Sequence, residues 1–293
     1  MSEKIERNSR WLYCLILVVD ANFRLKLKEK GIMDDPALGD GWAHWVLSRP
    51  YQTYVKKYGH QVEASDSIPC FINCQLIHVI SQPNLCDSDL KAVDHGHSKF
   101  SANYRSSGAG ACLCGRHTLV RKNGLGDLQK GERYASHLIF IVLSAHYIHR
   151  YANMDFIIFS AILGTFMLAL TISYDICCQW SRNVAKRVPQ LPSFMQVGKD
   201  RLRSAKFVLP KFHIYNHGLK CVLNYSLNFL RWSAASDLED PERWWAHINP
   251  VSMSTKEMSE GSRQDTIDDH ACAWNWRKIT GFGTSFLFSL SCL

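Results

Sequence analysis

Two apolar segments that each end in an aspartate constrain the fold of this 293-residue chain more than any other feature. The first, "LILVVD", ends at Asp20, and the second, "LTISYD", ends at Asp175. A short, continuous apolar run of this kind is typical of a strand that is buried on both faces. If the two runs form neighbouring central strands of one sheet, their carboxylates lie side by side at the same end.

The stretch 156–174, which leads into Asp175, carries no charge and is long enough to cross a bilayer. One interpretation is a small membrane protein with one or two spans within 138–174. The other is a buried helix followed by a buried strand, because Gly164 and Thr165 can divide the stretch into two elements of ordinary length. Neither end has the clustered Lys and Arg that orient a span. We therefore favour the second interpretation and expect no membrane partner.

The charge balance and the cysteine usage indicate the kind of partner and compartment. Lys and Arg together number 34 against 26 for Asp and Glu, and this excess favours an acidic partner such as nucleic acid. The first residues, "MSEKIERNSR", lack the pattern of a secretory signal. We therefore expect a nuclear or cytosolic protein whose eleven cysteines are reduced, with metal ligation favoured over disulfides.

Acidic residues form the first candidate site. Two carboxylates within a few Å repel each other unless cations lie between them, and Mg²⁺ (or Mn²⁺) prefers carboxylate oxygens. Glu242 is a candidate third acid, near a predicted helix start with Asp240 as N-cap and Pro241 as first residue. By spacing alone, three unrelated acids at the ends of elements remain the better explanation.

Cysteine and histidine residues form the second candidate site. Thiolate and imidazole ligands suit a tetrahedral Zn²⁺ ion, and residues 213, 217 and 221 share one face if they are helical. Alternatively, the two histidines contact DNA or the catalytic metal, or make hydrogen bonds in the core. The candidate zinc ligands are Cys114, His117, Cys178, His213, His217 and Cys221.

Two further segments carry structural predictions. The pattern over 43–59 predicts a helix interrupted by Pro50, and the glycine-rich stretch 84–134 predicts loops and short elements. Basic residues on a glycine-bearing loop at 121–133 suit contact with DNA phosphates. The candidate DNA-binding residues are Arg121, Lys122, Lys130 and Arg133.

Several motifs together resemble the Kyakuja-Dileera-Zisupton (KDZ) transposases. These motifs are "DANFRLK" (20–26), "RKNGLGDLQKGERY" (121–134), "YDICCQW" (174–180), "LPKFHIYNHGLKC" (209–221), "ERWWAHINPVSMSTKEMSEGSRQDTIDDH" (242–270) and "WNWRK" (274–278). They occur in the family's order and extend the resemblance over residues 11–283.

The resemblance implies an α/β fold: a ribonuclease H-like mixed sheet flanked by helices. It also implies metal-dependent DNA strand cleavage and transfer by a trio of acids, with DNA and a second copy of the chain as partners in the nucleus. Carried over, Asp20 lies on the first strand, Asp175 on the fourth and Glu242 on the helix after it. The acids of "DLED" (237–240) compete with Glu242 for the third place.

The chain departs from the family pattern in three places. Residues 71–84 and 135–151 resemble insertions, plausible as translated intron sequence, and 284–293 resembles a non-family tail. An apolar insertion must be buried or it promotes association. We therefore expect a transposase-like chain whose activity as written is impaired or lost. The competing hypothesis is a catalytically dead relic that still binds DNA.

Overall fold

The computed structural model describes residues 10–31, 35–59, 103–129, 151–165, 169–197, 199–231, 233 and 236–291. Within these residues there are six strands: β1 (Cys14–Asn22), β2 (Leu27–Lys28), β3 (Tyr104–Cys114), β4 (Leu119–Gln129), β5 (Ala169–Tyr174) and β6 (Lys206–Val208). The α-helices are α1 (Ser48–Tyr58), α2 (Ala152–Ile162), α3 (Cys177–Trp180), α4 (Val184–Arg187), α5 (Lys199–Ser204), α6 (Leu219–Tyr225), α7 (Asp240–Ile248), α8 (Ser252–Thr255) and α9 (Glu260–Ser291).

All six strands belong to one mixed sheet with β1 near its centre. Strand β1 pairs antiparallel with β3 on one side and parallel with β5 on the other. Beyond them, β4 pairs antiparallel with β3, and β6 pairs parallel with β5, while β2 pairs with the start of β3. The predicted α/β class, a mixed sheet flanked by helices, is therefore confirmed.

The uncharged stretch that raised the question of a membrane span forms a helix and a strand. Helix α2 is buried along almost its whole length, the chain turns at Gly164 with a φ of 67°, and β5 follows. Among the described residues, no helix is both long and apolar enough to cross a membrane. The interpretation as a buried helix followed by a buried strand is confirmed over this part of the chain.

The glycine-rich segment differs most from the prediction, since much of it forms the long hairpin of β3 and β4 instead of loops. Its glycines allow neighbouring groups to approach closely. A Cβ atom on Gly108 would lie 2.4 Å from the carbonyl oxygen of Asn22, and one on Gly110 would lie 2.8 Å from Ile157 Cδ1. Glycine here marks tight packing within the sheet and against α2 and not a break in the strand.

Two predicted helix boundaries also shift. The first helix begins at Ser48, so Pro50 lies in its first turn, where a missing N–H is tolerated, and does not interrupt it. Helix α7 begins at Asp240 with Glu239 as its N-cap residue, one position earlier than predicted. Pro241 still lies in the first turn of α7 and fixes its start.

A buried ion pair fixes the segment that follows β5. The Arg187 Nε atom donates to Asp155 Oδ2 at 2.6 Å, and Trp180 Nε1 donates to Asp155 Oδ1 at 2.7 Å. The Arg187 guanidinium also lies over the Tyr151 ring, 4.6 Å from its centroid. These contacts tie α2, before β5, to α3 and α4, after it. They hold both ends of the segment that carries Asp175.

Replacement of Gly108 by alanine tests the close packing of the hairpin. The added Cβ meets backbone atoms that cannot rotate away, so Gly108→Ala should lower the free energy of unfolding by about 1–3 kcal/mol. The control is Gly281→Ala in α9, where nothing lies within 4 Å of the added atom. This variant should gain about 0.5–1 kcal/mol from helix propensity. Urea denaturation of the two variants and the wild type measures both effects. A Gly108→Ala variant as stable as the wild type would show that glycine is not needed at this position.

Candidate active site

The parallel register of β1 and β5 places Asp20 beside Asp175. Val19 is the register partner of Tyr174, and each aspartate is the next residue along its chain. Asp20 lies within β1, which continues to Asn22, whereas Asp175 directly follows the end of β5. The placement on adjacent strands was expected. The strand that precedes Asp175 is the fifth and not the fourth, because the two-residue β2 intervenes.

A third acid approaches the pair from α7. Ligand atoms of Asp175, His213 and Glu242 all lie within 4.8 Å of one another. The Glu242 Oε2 atom is shielded from solvent and has no hydrogen-bond partner among the described residues. Such an unpartnered buried oxygen is costly unless a cation or a water molecule satisfies it.

Two of the competing acids before Glu242 each accept a hydrogen bond from another part of the protein. Glu239 Oε1 accepts a hydrogen bond from the Phe212 backbone N–H at 2.7 Å. Asp240 Oδ1 accepts one from the Thr118 hydroxyl. Of these acids, Glu242 is therefore the one whose geometry best suits a ligand in the cleft.

Helix α7 contributes a second side chain to the site. Trp245 Nε1 donates to Asp20 Oδ2 at 2.7 Å. Trp245 follows Glu242 by three residues, so both side chains lie on the same face of the helix. Sequence reasoning missed this role, because a tryptophan at that spacing is more often a core residue than a hydrogen-bond donor to an acid.

His213 lies inside the acid cluster. Its Nε2 atom is 3.2 Å from Asp175 Oδ2, and its Nδ1 atom is 3.3 Å from Glu239 Oε2. Sequence analysis had grouped this residue with the zinc ligands, and the structure places it with the acids instead. The segment His213–Asn216 is a 3₁₀-helix, and His217 is already extended. Residues 213–221 are therefore not one helix, and the condition for a shared face is not met.

Burial dominates the electrostatics of the cluster. It raises the pKa of Asp20 to about 7, with the Asp175 charge adding to the effect. It likewise raises the pKa of Asp175 to about 7 and that of Glu242 to about 7. The Glu239 carboxylate, with a further contribution from Asp175, raises the pKa of His213 to about 9. The raised pKa values of the three acids therefore have two causes, which are limited contact with solvent and the negative charges of neighbouring acids.

The candidate zinc ligands divide into separate groups. Ligand atoms of Cys178, His217 and Cys221 lie within 4.8 Å of one another, and all three residues are buried. Cys114 and His117 form a pair at 3.4 Å at the turn between β3 and β4. Neither residue of this pair belongs to a metal-ligand cluster in the described part of the chain. Among the described residues, the pair and the cluster of three are therefore separate groups.

The candidate DNA-binding residues have different environments. Arg121 Nη2 donates to the Ala161 carbonyl oxygen at 3.1 Å, so its guanidinium caps the end of α2. Lys122 is exposed. Both lie in strand β4 and not on the loop that was expected. Lys130 and Arg133 lie outside the described residues, as do most of the suspected insertions 71–84 and 135–151.

Fold and site define an α/β protein in which two adjacent parallel strands and one helix bring a cluster of half-buried acids together. The family model for the Kyakuja-Dileera-Zisupton transposases matches residues 13–150 and 146–275, and the chain belongs to this family. No curated protein and no solved structure matches the chain. The two family matches meet within 146–150, near the end of the suspected insertion 135–151.

The raised pKa values predict how stability depends on pH when no metal is present. A carboxyl whose pKa is higher in the folded chain takes up a proton on folding, so its stabilising contribution is lost as pH rises from about 4 to about 7. The contribution of His213 is present below 6.5 and is lost as pH rises through about 9. When a chelator keeps the protein free of metal, the free energy of unfolding should therefore decrease as the pH is raised from about 5 to about 9.

The variant Asp20→Asn isolates the acid contribution. It should be more stable than the wild type at about pH 8, and this advantage should shrink toward about pH 5, where the native Asp20 is already protonated. Urea denaturation at both pH values measures the difference, with exposed Asp269→Asn as the control. An advantage that is the same at both pH values would contradict the raised pKa of Asp20.

Proposed function

We propose that this chain cleaves and transfers DNA strands in a divalent-metal-dependent reaction, with Asp20, Asp175 and Glu242 as its acidic triad. The observation that carries this proposal is the convergence of acids from two adjacent strands and one helix on a single location. Membership in a transposase family supplies the reaction class. Their spacing in the sequence does not require these acids to be close together, whereas the fold brings them close.

The sheet order supports a ribonuclease H-like catalytic domain. Three antiparallel strands, β4, β3 and β1, are followed in the sheet by β5 and β6, which run parallel to β1. The first acid lies on the first strand, the second follows a central parallel strand, and the third lies on a later helix. This is the order of acids that the family resemblance implies.

The residues present fit a hard divalent cation. Carboxylate oxygens are the ligands that Mg²⁺ and Mn²⁺ prefer, and Glu242 Oε2 is buried without a partner among the described residues. Asp20, Asp175 and Glu242 would hold the metal. When bound, it would activate the attacking water or 3′-hydroxyl and stabilise the leaving oxygen.

The surrounding side chains position these acids. The Trp245 N–H holds one oxygen of Asp20 and so fixes the orientation of that carboxylate. His213, protonated at neutral pH because of its raised pKa, holds Asp175 and offsets part of the negative charge. This offset lowers the repulsion that an acidic cluster exerts on an approaching DNA phosphate.

The proposal extends to DNA as the partner. The excess of eight basic residues favours a polyanion, and exposed Lys122, with Lys130 and Arg133 close in sequence, suits phosphate contact. We also propose a nuclear location and assembly into a homo-oligomer on DNA, which the family's reaction on chromosomal DNA favours.

Substitution of each acid by its amide tests the catalytic assignment. Asp20→Asn, Asp175→Asn and Glu242→Gln should each reduce Mg²⁺- or Mn²⁺-dependent nicking of plasmid DNA by about 100-fold to 1,000-fold, the scale of lost transition-state stabilisation. DNA binding should survive and should weaken steeply with salt. Exposed Asp269→Asn is the matched control and should nick normally. Glu239→Gln should lose less activity than Glu242→Gln, because Glu239 acts through His213.

The remaining outcomes separate the proposal from its competitors. Nicking that persists in all three amide variants would show that these acids are not the catalysts. Salt-sensitive DNA binding without nicking by the full chain favours the inactive relic. In that case a chain without 135–151 decides whether the insertion or the site itself is at fault, since displacement of about 1 Å can cost about 100-fold in rate.

A further inference from the structure

A cluster of two thiols and one imidazole lies next to the acidic site and has no place in the proposed reaction. Ligand atoms of Cys178, His217 and Cys221 all lie within 4.8 Å of one another. Their exposed fractions are 1%, 7% and 4%, so all three are shielded from solvent. The cluster joins α3, the end of the 3₁₀-helix His213–Asn216, and α6.

The imidazole of His217 is short of hydrogen bonds. Its Nδ1 atom lies 3.6 Å from Cys178 Sγ, and its Nε2 atom is buried with no partner in the part of the chain that the structure describes. Buried polar atoms are nearly always paired, so a ring that has one unpaired nitrogen and lies in a cluster with two sulfur atoms needs an explanation. A metal ion ligated by the ring and the two sulfurs supplies one.

We propose that Cys178, His217 and Cys221 bind one Zn²⁺ ion. Two thiolates and an imidazole are soft and borderline ligands, which select zinc over Mg²⁺ and Ca²⁺. Three protein ligands leave one tetrahedral position open. The acidic cluster has the opposite chemistry, since three of its members offer carboxylate oxygen. The two sites therefore select different metals although they are close in sequence.

A zinc ion at this position would also affect the acidic site, because its ligands are close in sequence to His213 and Asp175. Cys178 follows Asp175 by three residues, and His217 follows His213 by four. His213 contacts Asp175 at 3.2 Å. A zinc ion would therefore tie together the two segments that bring His213 to Asp175. This consequence for activity rests on the proposed function, whereas binding of zinc does not.

Metal analysis of the full chain tests the site independently of catalysis. Inductively coupled plasma mass spectrometry should find about one zinc ion per chain in the purified wild type and in the catalytically disabled Asp20→Asn variant. Cys178→Ser, Cys221→Ser and His217→Ala should each lose most of it. The control is Cys177→Ser, because Cys177 is equally buried but donates to the Ile172 carbonyl instead.

A second readout guards against variants that lose zinc only by misfolding. Co²⁺ added to the zinc-depleted wild-type chain should give the absorption of a tetrahedral thiolate site, and zinc should displace it. The proposal would be overturned if the zinc-free wild-type chain failed to give this spectrum with Co²⁺, or if all three variants retained zinc. It would also be overturned if thiol alkylation revealed a disulfide between Cys178 and Cys221. Zinc binding together with absent nicking would leave the zinc site standing and would count against the acidic triad alone.

Discussion

The parallel pairing of β1 with β5 is the constraint on which the rest of the site depends. It sets Val19 against Tyr174, so that Asp20 and Asp175 must follow side by side. A shift of one residue would turn one of the two strands over and separate the carboxylates. The buried contacts of Asp155 with Trp180 and Arg187 hold the chain on both sides of β5, and so they help to keep this register.

The same constraint creates an electrostatic problem. Two aspartates, Glu242 and Glu239 share a poorly solvated region, and burial raises the pKa of three of these acids. Within the protein, His213 and the Trp245 N–H relieve part of the strain. One Glu242 oxygen still has no hydrogen-bond partner among the described residues, and the proposed cation would satisfy it. The same burial that destabilises these carboxylates is what the proposed divalent cation would offset.

Much of this arrangement could be predicted from the sequence, because it depends on short patterns. The apolar runs before Asp20 and Asp175 identified the two strands, and Gly164 identified the break between helix and strand. The β3–β4 hairpin was missed, because its glycines serve close packing between distant segments, which no local pattern records. The division of the Cys and His residues was missed for a similar reason. The extended backbone at His217 separates His213 from His217 and Cys221, which helical spacing would align.

A crystal structure of the full chain soaked in Mn²⁺ tests the central claim most directly, since anomalous scattering locates the metal without reference to activity. The account predicts a Mn²⁺ peak bound by the carboxylates of Asp20, Asp175 and Glu242, with the Trp245 contact to Asp20 preserved. A metal bound elsewhere, with these three carboxylates directed away from one another, would contradict it.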